Sequence, residues 1–170
     1  MAYIGPWGQF IHIPKCAGLS MRSYLEKTYR TGGHEEKGMH DLPSVIKNAF
    51  TIVRHPADWL LSFYTYYFEN SWRWEDLPAY IDDQFSFANG MFFPQYVEAV
   101  TSTNPGAVGN VYDHYCQPGV KVYRLEELDE RFEGMVNIHS TGHKPAMTPK
   151  LYDMIYIAER DTLERYGYAD

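Results

Sequence analysis

The sequence predicts an α/β fold, a parallel sheet with helices on both faces. Short apolar runs alternate with segments of helical period along the chain, and strands alternating with helices build parallel sheets. The stretch "FTIVRHP" is apolar almost without interruption until Arg54, the pattern of a strand buried on both sides. Turn residues separate the periodic segments, and no repeat, linker or low-complexity tract interrupts them.

The elements follow in order. A strand is expected near Phe10–Ile13, then a helix from about Leu19 to Arg30 with Met21, Leu25 and Tyr29 on one face. "TGGHEEKGMHD" reads as a polar loop, and Leu42–Ala49 as a short helix. The strand of "FTIVRHP" leads into an aromatic helix, about Asp58–Glu69, on which Trp59, Phe63 and Tyr67 share a face. Two short helices are expected around Glu75–Asp83 and Pro94–Val100, followed by the loop "TSTNPGAVGN". "VKVYRLEEL" reads as a third strand running into a helix. The last helix has Thr148 as N-cap, Pro149 in its first turn and Gly167 at its end.

Composition narrows the function. A chain of 170 residues is expected to form one domain, 1–170, and 45% hydrophobic against 22% charged residues makes it globular. A net charge of −7 argues against a nucleic-acid or anionic-membrane partner, so any anion site must be a local gathering of Lys, Arg and N–H groups. The two cysteines, Cys16 and Cys116, form no CxxC, and no metal is expected. No apolar run reaches the ~18 residues of a membrane span. The opening "MAYIGPWGQF" lacks the basic start and apolar stretch of a leader, so a cytoplasmic chain is expected. The aromatic share of 16% points first to core packing, while the stretch from Trp59 to Trp74 leans towards a sugar-stacking surface.

Chemistry concentrates in two places. "FIHIPKCAGLSMRS" is a strand, a tight loop and a helix start, the corner at which backbone N–H groups and the helix dipole collect an anion. It is not the nucleotide loop GxxxxGK[ST], because here the Lys precedes the Gly. One solution has Lys15 reach a phosphosulfate while the N–H groups around it, from Cys16 through Ala17, Gly18, Leu19 and Ser20, wrap the anion. The other makes Cys16 a thiolate nucleophile with Arg22 holding a phosphate, since the two stand in the C-x5-R spacing. The second place is "FTIVRHPADWLLSFY": Arg54 closes a buried strand at the carboxyl edge, and Ser62 follows two helical turns on, a pair suited to a phosphate monoester.

Together, "IHIPKCAGLS" and "FTIVRHPADWLLSFY" resemble the sulfotransferases that use 3′-phosphoadenosine 5′-phosphosulfate (PAPS), most closely the carbohydrate and heparan-type branch. The likeness is strong over about residues 10–68 and weak over 120–168, where "VYRLEEL" and the terminal helix are similar to the family's segments. It implies a three-layer, P-loop-like fold and PAPS as co-substrate, without a metal. It gives Lys15, Gly18, Leu19 and Ser20 to the phosphosulfate and Arg54 and Ser62 to the 3′-phosphate. It implies a hydroxyl acceptor, a glycan or small molecule. Lys144, in "NIHSTGHKP", is the expected further phosphate contact, ahead of His139 and His143. The general base is expected at His40, with His34 or Glu35 next; His12 is expected to be structural. His55 departs from the family, which favours Asn or Asp there. Two alternatives stand beside this reading: a hydrolase similar to low-molecular-weight tyrosine phosphatases using Cys16 and Arg22, which would lack an Asp-Pro acid, and a non-catalytic binder of the nucleotide.

Overall fold

The first residues are short of apolar alternation, yet they pair. In the computed structural model, which describes residues 2–30, 32–36, 42–67, 78–135 and 144–169, β1 (Ala2–Gly5) and β2 (Gly8–Ile11) form an antiparallel hairpin. Ala2 lies opposite Ile11 and Gly5 opposite Gly8, with Pro6 and Trp7 at the turn. Gly8 has φ +95° and lies so close to the backbone oxygen of Asn48 that a side chain would not fit. β3 (His34–Glu36) adds to β1, also antiparallel. β4 (Ala49–Val53) and β5 (Val120–Arg124) extend the other side in parallel, giving the order β3-β1-β2-β4-β5.

The expected all-parallel sheet is therefore corrected to a mixed one. Because β1 opposes both its neighbours, β3 points the same way as β2, β4 and β5, and only β1 is reversed. The carboxyl ends of β2, β3 and β4 thus leave from one edge. The polar loop expected at residues 31–41 contains β3, an edge strand paired to β1 through its backbone. The helix expected at Leu42–Ala49 is absent. Gln9 holds that segment open: its amide donates to the Val45 carbonyl at 2.9 Å and accepts from the Lys47 N–H at 2.8 Å.

The chain divides into two compact units, residues 1–54 with 112–140, and residues 55–111 with 141–170. In the first unit α1 (Gly18–Tyr29) buries Met21 and Leu25, and Phe10, Ile11 and Ile52 are buried in the strands. The Tyr3 hydroxyl donates to Glu26 of α1 at 2.5 Å and accepts from the Gly33 N–H at 2.7 Å, so one phenol ties β1 to α1 and to the approach to β3.

The second unit is helical and aromatic. It contains α2 (Pro56–Tyr67), α3 (Ala79–Phe85), α4 (Phe93–Thr103), the start of α5 (Ala107–Tyr115) as far as Val111, α7 (Pro149–Ala158) and α8 (Arg160–Arg165); the short α6 (Leu128–Arg131) belongs to the first. Trp59, Phe63 and Tyr67 do share a face, with ring centroids 4.7 Å apart at each step, and Phe85 closes on Phe63 at 5.1 Å. Trp59 and Phe63 are fully buried, which makes this part of the aromatic stretch core rather than a sugar platform; Trp72 and Trp74 lie outside the described residues. The loop expected at "TSTNPGAVGN" holds the start of α5. Glu159, 51 residues downstream of Val108, accepts the Val108 N–H at 2.9 Å and the Gly109 N–H at 3.1 Å, capping the helix from outside its own sequence. The terminal helix starts as expected, with Thr148 accepting from the Leu151 N–H. Among the described residues no helix is long and apolar enough to cross a membrane.

Candidate anion site

After Ile11 the chain passes through His12, Ile13, Pro14, Lys15, Cys16 and Ala17 and enters α1 at Gly18. The Cys16 N–H donates to the Ile13 carbonyl at 3.2 Å, with Pro14 second in the turn and Lys15 third at φ 65°. This is the arrangement of a type II turn, in which proline suits the second position and the third must be left-handed. Ala17 is left-handed too, at φ 56°. Neither residue is glycine, and each such conformation costs on the order of 1 kcal/mol. Ala17 is the N-cap of α1 but has no polar side chain to cap with, so the first turn is left to whatever the loop gathers. The His12 ring lies against Gly18: a Cβ there would come within 2.0 Å of the imidazole.

β4 is the parallel neighbour of β2, so the loop and Arg54 leave adjacent strand ends, about 4.8 Å apart in the sheet direction. Arg54 is half-buried, and its Nε is buried with no hydrogen-bond partner. Both main-chain groups of Arg54 meet Tyr112: the phenol donates to the carbonyl at 2.6 Å and accepts from the N–H at 3.3 Å. A guanidinium nitrogen withdrawn from water and left unpaired is costly unless an anion completes it. A cleft of about 210 Å³ runs along α1 past Ser20, Ser23, Tyr24, Lys27 and Thr28, with Glu133 and Gly134 on its other side. The α1 positions recur every three or four residues and so form one helix face.

The geometry weighs against the thiolate alternative. Cys16 is fully buried, and burial pushes its thiol well above the usual value although Arg54 and the Tyr112 hydroxyl act in the opposite direction. Its presumed partner Arg22 points elsewhere, ion-paired with Glu26 at 3.3 Å and stacked over the Tyr3 ring at 4.7 Å. The Cys16 N–H, expected among the groups around the anion, closes the loop turn onto Ile13.

The other expected residues belong to both units. Gly18 is half-buried, Leu19 is 53% exposed and Ser20 is buried at the start of α1. Ser62 is buried in α2 and Lys144 exposed ahead of α7, both in the second unit. His40, His139 and His143 lie outside the described residues, as does the Glu35 side chain. His34 opens β3 opposite Ile4, so it stands at the end of the strand away from the carboxyl edge. His55 has a structural task that the sequence did not reveal. Its Nδ1 accepts the Ala57 N–H at 3.2 Å, capping α2 as Asn or Asp would, and its Nε2 pairs with the Tyr152 hydroxyl at 3.1 Å.

No family model matches the chain, and no curated protein or solved structure is significantly similar to it.

Proposed function

We propose that this chain is a sulfotransferase that takes its sulfuryl group from PAPS and gives it to a hydroxyl acceptor, on a three-layer, P-loop-like fold. The observation that carries this reading is the buried, unpartnered Nε of Arg54 at the end of β4, next to the strained loop that ends β2. In this reading Arg54 pairs with the 3′-phosphate. Lys15 and the N–H groups of Ala17 to Ser20 hold the phosphosulfate. The cleft along α1 offers a polar wall to the rest of the nucleotide. Two free thiols fit a reducing, cytoplasmic setting.

The chemistry is an in-line displacement at sulfur. The acceptor oxygen forms a bond to sulfur as the bond from sulfur to the bridging phosphate oxygen breaks. The acceptor proton goes to a base, His40 in this proposal, and adenosine 3′,5′-bisphosphate (PAP) leaves with the extra charge. Lys15 stabilises the charge on the bridging oxygen, so positioning and electrostatics supply most of the rate.

Calorimetry tests the binding half. PAP should bind far more tightly than AMP, because AMP leaves the Arg54 charge unpaired, a difference of about 2–3 kcal/mol. Equal affinities would remove Arg54 from the site. Transfer of labelled sulfate from PAPS to sugar or phenol acceptors tests the other half: Lys15→Ala should abolish it in a folded chain. PAP binding without turnover on any acceptor would leave the chain a nucleotide binder.

A further inference from the structure

We propose that Tyr112 is the positioning residue of this anion site, acting through Arg54; the inference rests on Arg54 being an anion contact. The β4–β5 ladder ends at the pair Val53 and Arg124, so Arg54 is the first residue of its strand without a ladder partner. Tyr112 supplies one. Its fully buried phenol donates to the Arg54 carbonyl at 2.6 Å and accepts from the Arg54 N–H at 3.3 Å. A single hydroxyl therefore stands in for a further strand, closing both main-chain groups of one residue.

The consequence is geometric. With the carbonyl and N–H of Arg54 both held, its Cα–Cβ direction is fixed, and so is the root of the guanidinium. The side chain can then keep a buried Nε unpartnered without collapsing onto a nearer acceptor. A cation held in place before the anion arrives need not reorganise on binding, which is the source of its strength. Phenylalanine would fill the same volume; only the hydroxyl does this.

Tyr112→Phe isolates that hydroxyl, with PAP and inorganic phosphate as probes in calorimetry. The variant should bind PAP roughly tenfold more weakly than wild type, the loss of about one hydrogen bond. Arg54→Ala should lose more. In the double variant the Tyr112 effect should vanish, because a residue acting only through Arg54 has nothing left to position. Wild-type affinity in Tyr112→Phe, or a loss that adds in full to that of Arg54→Ala, overturns the positioning role while leaving the anion site intact. If wild type binds neither probe, or Arg54→Ala binds as well as wild type, the anion reading fails and takes this role with it. Amide hydrogen exchange on the wild-type chain makes the test independent of how the variants fold. The Arg54 amide, one residue past the ladder, should exchange as slowly as that of Val53; exchange at the rate of an open loop also overturns the role.

Discussion

At Trp59 and Phe63 the second unit closes ring on ring, with centroids 4.7 Å apart and both side chains out of water. At Arg54 and the β2–α1 loop the first unit does the opposite. A guanidinium nitrogen is buried without a partner, two residues that are not glycine sit at positive φ, and a helix starts without a capping side chain. One region converts its sequence into apolar contact and stability. The other keeps a buried guanidinium nitrogen and backbone strain that its own contacts do not satisfy. On the proposed reading the contrast assigns stability and binding to separate residues, so each should break without the other.

The largest effect should come from the packed region. Trp59→Ala empties the centre of the aromatic stack and should cost about 3–5 kcal/mol in urea unfolding. At a temperature where the variant is still folded, its PAP affinity should match wild type; a specific loss of affinity would blur the division between the regions. Arg54→Ala should behave inversely, weakening PAP binding by about 2–3 kcal/mol while the unfolding midpoint holds or rises, because an unpaired buried group has been removed. A large drop in stability would show that Arg54 is structural.

Gly18→Ala tests the junction of strain and packing. Its Cβ would meet the His12 ring at 2.0 Å, so the ring or the helix start must shift, at about 1–3 kcal/mol. PAP affinity should fall with it, since the same turn carries the N–H groups.

Glu159 sharpens the comparison from the other side, because it is a buried carboxylate that is fully engaged. Burial pushes its carboxyl up, against the N–H groups of Val108 and Gly109 and the Thr162 hydroxyl. The folded chain therefore keeps this proton to higher pH than the unfolded chain does. The stability it contributes is fullest below the ordinary carboxylate value and declines as pH rises from there towards the folded value. Glu159→Gln cannot ionise. Urea titrations at acid and neutral pH should show the variant gaining on wild type as pH rises; a gap that widens in wild type's favour would contradict the sign. The smallest effect belongs to Ala17→Gly. It relieves the left-handed N-cap but frees the unfolded chain, so thermal unfolding should register a gain of about 0.5 kcal/mol or less.

What the sequence made legible was local. Pro14 and Lys15 mark a turn, the apolar run to Val53 marks a strand, and Thr148 with Pro149 marks a helix start, because each signal lies within a few residues of its effect. The turn, the end of β4 and Arg54 just beyond it could therefore be located before any contact was known. The misses share a different cause. β3 was hidden because an edge strand of His and Glu is held by pairing to a segment 30 residues away. The segment after Leu42 loses its helix to Gln9, and α5 gains its start from Glu159. Whether Cys16 was a nucleophile or a buried thiol, and whether Arg22 faced an anion or Glu26, also depended on partners distant in the chain.

The sequence alone determined the periodic elements, the turn chemistry and the order of strand, loop and helix, since these follow from backbone geometry over a few residues. The tertiary structure decided the reversed strand β1, the burial of Cys16, the buried and unpartnered Nε of Arg54 and the phenol of Tyr112 that holds its backbone. Burial and hydrogen-bond satisfaction are properties of groups brought together from far apart, and no local pattern encodes which distant donor will meet which acceptor.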